Sequence, residues 1–235
     1  MEEKTLLKGS NLCKAYGDNL LFEDLQIEIN KGTSLGIVGR NGTGKTTLIN
    51  ILLGVIKPDC GEVERCFNAK RMPYEVGVQM QDGYFEALLR LGEISNLFCD
   101  VYELPRSRGD ELIKEFDLTH AVKTPLRKLS GGEKQKVNII LSILHQPNLL
   151  FFDEITTGLD SHSRNSIYKY LKDLRSKGLT MVLVSHYYEE IWNLCDQVLI
   201  FGRDKKLSQK AVKDLGDNAM SFSDNISNLV GGTEV

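Results

Sequence analysis

Residues 39–46 read Gly39-Arg40-Asn41-Gly42-Thr43-Gly44-Lys45-Thr46, a full match to G-x-x-x-x-G-K-[ST]. Nothing else in the chain constrains the fold as tightly, because this pattern works only between a buried strand and a helix. Both flanks have that character. Thr33–Val38 (TSLGIV) is a short apolar run, and Thr46–Leu53 is a helical stretch stopped by Gly54 and Pro58. A strand, a glycine-rich turn and a helix in that order make the first unit of a parallel α/β sheet. The glycines let the backbone curl so that successive N–H groups point at one anion. Lys45 adds a point charge for the β- and γ-phosphates, the Thr46 hydroxyl can ligate Mg2+, and the helix directs its positive end at the same place. At ordinary residue frequencies the pattern arises by chance in roughly 1% of chains this long. It points to nucleotide binding.

The same grammar returns later in the chain. After Ser130 come a helix (Gly132–Leu144), a strand (Asn148–Phe152), a helix (Ser163–Ser176), a strand (Thr180–Val184), a helix (Tyr187–Cys195) and a strand (Gln197–Phe201). Ahead of the glycine-rich loop, Leu25–Ile29 alternates apolar and polar residues as a strand does, with Gly17-Asp18 as a turn before it. The middle differs. From about residue 82 to 140 the periodicity is helical, around Phe85, Leu88, Leu89 and Ile94 and again over Asp110–Phe116, with no convincing strand. This region is expected as a helical insertion in one domain spanning 1–235. The polar stretch from about 204 to 235 is expected as a flexible tail.

Composition narrows the classes. The chain has 29 Lys+Arg against 32 Asp+Glu and 41% hydrophobic residues, so it is globular and has no general electrostatic drive towards nucleic acid or anionic lipid. Its longest apolar stretches, such as Val137–Leu144, are far short of the ~20 residues of a spanning helix. Cys13, Cys60, Cys66, Cys99 and Cys195 are scattered with no C-x-x-C pair and no His at zinc spacing, and are expected as reduced thiols.

Two carboxylates complete the hydrolytic set. In NLLFFDE an apolar strand ends on Asp153-Glu154, at the sheet edge where open α/β folds bind ligands. Asp153 would hold Mg2+ through water, and Glu154 would take a proton from the attacking water. One helix earlier stands Leu129-Ser130-Gly131-Gly132-Glu133-Lys134-Gln135.

Together with the phosphate loop and the carboxylates, LSGGEKQ resembles the signature motif of ATP-binding cassette (ABC) ATPases. The likeness runs from Leu6 to Phe201. It implies an α/β P-loop NTPase core with a mixed β-sheet and flanking helices, an N-terminal antiparallel β subdomain and an α-helical signature subdomain. It implies ATP and Mg2+ as cofactors, held by the loop from Gly39 through Thr46 with Thr47 beside it, and by Ser130, Gly131 and Gly132 of a second subunit. Tyr16 matches the aromatic residue that stacks on adenine, although a strand aromatic in the core is the competing reading. Gln81 matches the glutamine that contacts Mg2+ and the attacking water. Gln79 competes for that place, and the Asp-Gly after Gln81 favours the latter. Asp160 matches the aspartate loop, and His186 the switch histidine that contacts the γ-phosphate. Glu133 replaces the frequent glutamine, Ile155 and Ser161 stand where proline is common, and Arg40 does so in the phosphate loop.

One copy of each motif implies two chains meeting head to tail, as a homodimer or with a paralogous ATPase subunit. The stretches YFEALLRLGEISNLF and VLVSHYYEEIWNLCDQVLIF resemble export-type cassettes, which serve a separate transmembrane permease subunit. The expected location is therefore cytoplasmic, peripheral at the inner face of the cell membrane, with no nucleic acid as partner. A soluble ABC-type ATPase without a membrane partner is the alternative. Tyr84, Phe85, Leu88, Leu89, Leu91, Ile94, Leu97 and Phe98 exceed what one helix needs against its own domain, and are expected to form the permease-docking surface, packing inside the insertion being the competing reading.

Overall fold

The computed structural model describes residues 4–67, 70–79, 88–156, 159–202 and 207–231. The elements in chain order are β1 (Thr5–Tyr16), β2 (Asn19–Asn30), β3 (Ser34–Gly39), α1 (Lys45–Leu52), β4 (Cys60–Arg65), α2 (Met72–Glu75), β5 (Val76–Gln79), α3 (Leu91–Val101) and α4 (Arg106–Glu115). They continue with α5 (Gly131–Ile143), β6 (Leu149–Asp153), α6 (Ser161–Ser176), β7 (Thr180–Val184), α7 (Tyr188–Leu194), β8 (Gln197–Phe201), β9 (Leu207–Ala211) and α8 (Ala219–Val230). They form two units, one built from the chain up to residue 68 and from 172 onward, the other from 69–171.

In the first unit, β2, β1 and β4 make an antiparallel sheet, with Gly17-Asp18 turning β1 into β2. Alternation sets the faces of β2: Leu25, Ile27 and Ile29 are buried while Gln26 and Glu28 are exposed. The same unit holds a mixed sheet. Parallel strands β7 and β8 flank β3, with Ile37 opposite Val184 on one side and Leu199 on the other, and β9 runs antiparallel to β8. Every residue of β3 is buried, which is why SLGIVG reads as an unbroken apolar run. In the second unit β5 and β6 pair in parallel, Val76 opposite Leu149 through Gln79 opposite Phe152, and α3, α4 and α5 supply the helical part.

The chain after 204 departs from expectation. It was expected as a flexible tail, yet β9 pairs with β8 and α8 packs on α7 through buried Phe222, Ile226 and Val230. These three lie four residues apart, one stripe of a helix, and the Ser, Asn and Asp residues between them dilute the signal in composition. Asn218 caps the helix, its Oδ1 accepting from the N–H groups of Met220 and Ser221 at 3.1 and 3.0 Å.

The thiols also depart from expectation. Cys13 and Cys60 are joined in a disulfide, because the β1–β4 ladder sets them opposite each other with Cα atoms 5.1 Å apart. Their separation of 47 residues hides that register from the sequence. Cys66, Cys99 and Cys195 are free thiols. In α3 the apolar surplus divides: Leu91 and Ile94 are buried, whereas Leu97 and Val101 are 50% and 60% exposed and the preceding Leu88 is 62% exposed. Tyr84 and Phe85 lie outside the described residues.

Candidate functional site

In the first unit, β3 delivers the chain directly into the phosphate loop. Gly44 sits at φ +104°, the left-handed region open to glycine, and caps α1. A Cβ there would also meet Leu21 at 3.1 Å. The loop closes on itself where Thr43 Oγ1 donates to the Arg40 carbonyl at 2.9 Å. Lys45 opens α1, and its side chain is 7% exposed, folded back so that Nζ donates to the carbonyls of Gly39 at 2.8 Å and Arg40 at 3.0 Å. A long flexible cation is thereby held at the loop. Thr46, in the first turn, is exposed, and Thr47 is half-buried. A cavity of about 530 Å3 lies against the loop, lined by Asn19–Leu21, Arg40–Thr43, Phe201, Gly202, Val230 and Gly231. The end of α8 is part of its wall, a contribution the sequence reading missed.

Tyr16 ends β1 with half its surface in solvent, so it is not a core aromatic. Its ring is held from below. Lys14 Nζ lies 5.4 Å from the ring centroid and bonds Asp59 at 2.6 Å, while the Ala15 N–H donates to the other Asp59 oxygen at 2.8 Å. The Lys14 ammonium, with the Ala15 N–H, keeps the Asp59 carboxyl below its ordinary range. The Cys13–Cys60 bond ties the same two segments one residue further in, so three links fix the base of an exposed ring.

His186 follows β7 and is exposed. Its turn is braced by Ser185, whose hydroxyl donates to Glu190 at 2.6 Å and accepts from the Tyr187 N–H at 2.9 Å. Ser185 and Glu190 are both buried, and neither had been singled out from the sequence. The sequence carries no signal for this pair, because the burial that brings Ser185 and Glu190 together is set by the fold.

The second unit carries the other residues. Asp153 ends β6 and is 3% exposed, and Glu154 follows at φ +56°, a left-handed conformation a non-glycine residue adopts only where its surroundings impose it. Buried Ile155 and Thr156 anchor the chain immediately after. The backbone therefore swings out of the strand at Glu154 and leaves that side chain half-buried beside buried Asp153. A carboxylate such as Asp153 is a hard oxygen donor of the kind that suits Mg2+, which takes a few protein oxygens and fills its shell with water and phosphate.

Ser130 caps α5. Its Oγ accepts from the Glu133 N–H at 3.3 Å, and the Ser130 N–H donates back to Glu133 at 2.8 Å, a reciprocal pair that satisfies the helix end. A Cβ on Gly131 would meet open space, while one on Gly132 would come within 2.6 Å of Ser163 Oγ. Asp160 caps α6, accepting from the N–H and the hydroxyl of Ser163 at 2.9 and 2.8 Å. The starts of α5 and α6 thus meet at Gly132 and Ser163. Gln81 lies outside the described residues, and Gln79 is buried at the end of β5.

The model of the ABC transporter family matches residues 22–157, which include the phosphate loop, the signature segment and both carboxylates. The chain belongs to that family. It carries the ATPase domain of an ABC nucleotide-binding subunit. A Nod factor export ATP-binding protein of Ralstonia nicotianae is 32% identical over 213 residues, covering 87% of this chain and 66% of that one. A linearmycin resistance ATP-binding protein of Bacillus subtilis is 30% identical, covering 89% of this chain and 70% of that one. The chain thus spans about two thirds of the length of these relatives. A solved ATP-binding subunit of an ABC transporter has the same fold, with a TM-score of 0.81 over 94% of this chain and 99% of that one at 22% identity. No helix among the described residues is long and apolar enough to cross a membrane.

Proposed function

We propose that this chain powers export through a separate membrane permease, docked at the inner face of the cell membrane, by closing head to tail on ATP with a second copy or a paralogue. The observation that carries this reading is Ser130 capping α5 in front of open Gly131: a helix end with its hydroxyl at the surface suits an anion arriving from outside the chain. Lys45, with the loop N–H groups, binds the phosphates of ATP on one subunit, and Ser130 receives the γ-phosphate of the other. Glu154 takes the proton of the attacking water, with Gln81 and His186 contacting the γ-phosphate region, and Asp160 lies at the subunit boundary. Thr46, Gln81 and Asp153 would hold Mg2+, which would supply positive charge against the phosphates. Tyr16 stacks on adenine, its ring held for that purpose by Lys14 and Asp59. Hydrolysis removes the bridge between the subunits and lets them part.

Two features support the transport half of the reading. The relatives named above are an export and a resistance ATP-binding protein. Leu97 and Val101 also form an exposed apolar pair one turn apart on α3, with exposed Leu88 before them, as a surface covered by a partner would.

The composite site is tested by complementation. Ser130→Arg spoils the signature segment and leaves the phosphate loop intact; Lys45→Ala does the reverse. Each variant alone has a defect in both sites and should be nearly inactive. An equal mixture should recover about one quarter of wild-type ATPase activity, since half the dimers are mixed and each has one sound site. No recovery in dimers verified as mixed refutes the head-to-tail arrangement.

A further inference from the structure

Glu133 stands where a neutral glutamine is frequent, and its two oxygens have separate occupants. Oε2 accepts both the N–H and the hydroxyl of Ser130, each at 2.8 Å. Oε1 faces His120 Nε2 at 2.9 Å. The Ser130 N–H, His120 and the Ser130 hydroxyl together hold the Glu133 carboxyl below its ordinary range, so it is ionised and can only accept. His120 Nε2 is therefore the donor in that contact.

This arrangement is a problem for the site proposed above. A serine hydroxyl has one proton, and here it is given to a carboxylate in a charge-assisted bond. To serve a γ-phosphate, the hydroxyl must turn away from Glu133 and offer the proton to another anion. The Glu133 charge opposes this twice, by holding the proton and by repelling the phosphate. His120 is the described group that draws on the opposite oxygen of that carboxylate. It comes from the short turn Thr119–Ala121, and the His120 side chain is 65% exposed while that of Glu133 is 27% exposed. An ion pair with one partner so exposed adds little to folding stability.

We propose that His120 is a positioning residue for ATP hydrolysis: by bonding Glu133 Oε1 it offsets the carboxylate and frees the Ser130 hydroxyl to turn to the partner's γ-phosphate. The inference rests on the head-to-tail reading. It makes Glu133 and His120 a matched set, in which the histidine is required only because the glutamate is charged.

The test is a cycle on the full chain, measuring steady-state ATPase activity, binding of a fluorescent ATP analogue to the isolated subunit, and melting temperature. His120→Ala should lower kcat about tenfold while nucleotide binding at the phosphate loop and the melting temperature stay unchanged, because Ser130 acts only in the closed dimer. His120→Gln, which can still donate to Glu133, should restore most of the loss. In the Glu133→Gln background, His120→Ala should have no effect. Wild-type kcat in His120→Ala overturns the proposal, and so does an equal loss in both backgrounds. Ser130→Arg separates the two levels. If it abolishes activity while His120→Ala does not, only this inference fails; if Ser130→Arg is fully active, the head-to-tail reading falls and this inference with it.

Discussion

Replacing Phe222 with alanine tests whether α8 is an integral part of the first unit. Phe222 is fully buried, with its ring centroid 5.6 Å from that of Trp192 on α7 and the two rings inclined at 45°. The approach to it is tight, since a Cβ on Gly216 would fall 2.5 Å from the Phe222 nitrogen. Truncating a buried phenylalanine costs about 3–5 kcal/mol from lost burial plus the cavity left behind. A chain of this size loses roughly 2–4 °C per kcal/mol, so the melting temperature should fall by about 10 °C. A helix docked along one face can also detach without the rest of the unit, which would cap the loss at the docking free energy of α8. Fluorescence separates these outcomes, because Trp192 is the single tryptophan and Phe222 is its neighbour. The emission should shift to the red in the variant whether α8 detaches or only loosens. Met220→Ala, on the same helix but 77% exposed, is the control and should change neither observable. Unchanged melting and unchanged emission in Phe222→Ala would refute a docked α8.

Two further outcomes follow from the site and the surface. Glu154→Gln should lower kcat by about 10²–10⁴ with ATP binding retained, because the base is lost while the phosphate loop is untouched; a wild-type rate in steady-state assays would remove Glu154 from the role of base. Leu97→Glu should abolish co-purification with a permease while ATPase activity and melting temperature hold, since that side chain is half exposed. Normal co-purification would move the docking surface elsewhere.

The strands and helices of the α/β parts were legible wherever burial is continuous or strictly periodic. SLGIVG and LLFFD are buried at every position, and both were read to within a residue. The phosphate loop was legible for a different reason: its chemistry is local, so every group it needs lies within eight residues. What escaped the sequence depends on partners distant along the chain. Cys13 meets Cys60 only through a ladder register, Lys14 finds Asp59 across the same pair of strands, and Glu133 gains His120 from a turn 13 residues earlier. Helix α8 escaped because three apolar residues in twelve carry its whole packed face. Leu91 and Ile94 are buried against the expectation of a surface, because a run of apolar residues does not reveal which of them face inward.

The bond between Cys13 and Cys60 has a topological consequence for the nucleotide loop. β2, β3, Gly39–Thr46 and α1 all lie between the two cysteines, so the phosphate-binding element belongs to a covalent ring and not to an open strand of polymer. Closing a ring of that size removes about 4 kcal/mol of conformational freedom from the unfolded chain in the loop-entropy picture. If α1 frays or the loop opens, its ends remain pinned to the ladder of β1 and β4, and it refolds from a restricted set of paths. Severing any single peptide bond inside the ring leaves one molecule, with the phosphate loop still tethered to the base of Tyr16. The glycine-rich loop is thus a segment whose unravelling is bounded by a closed circuit of bonds.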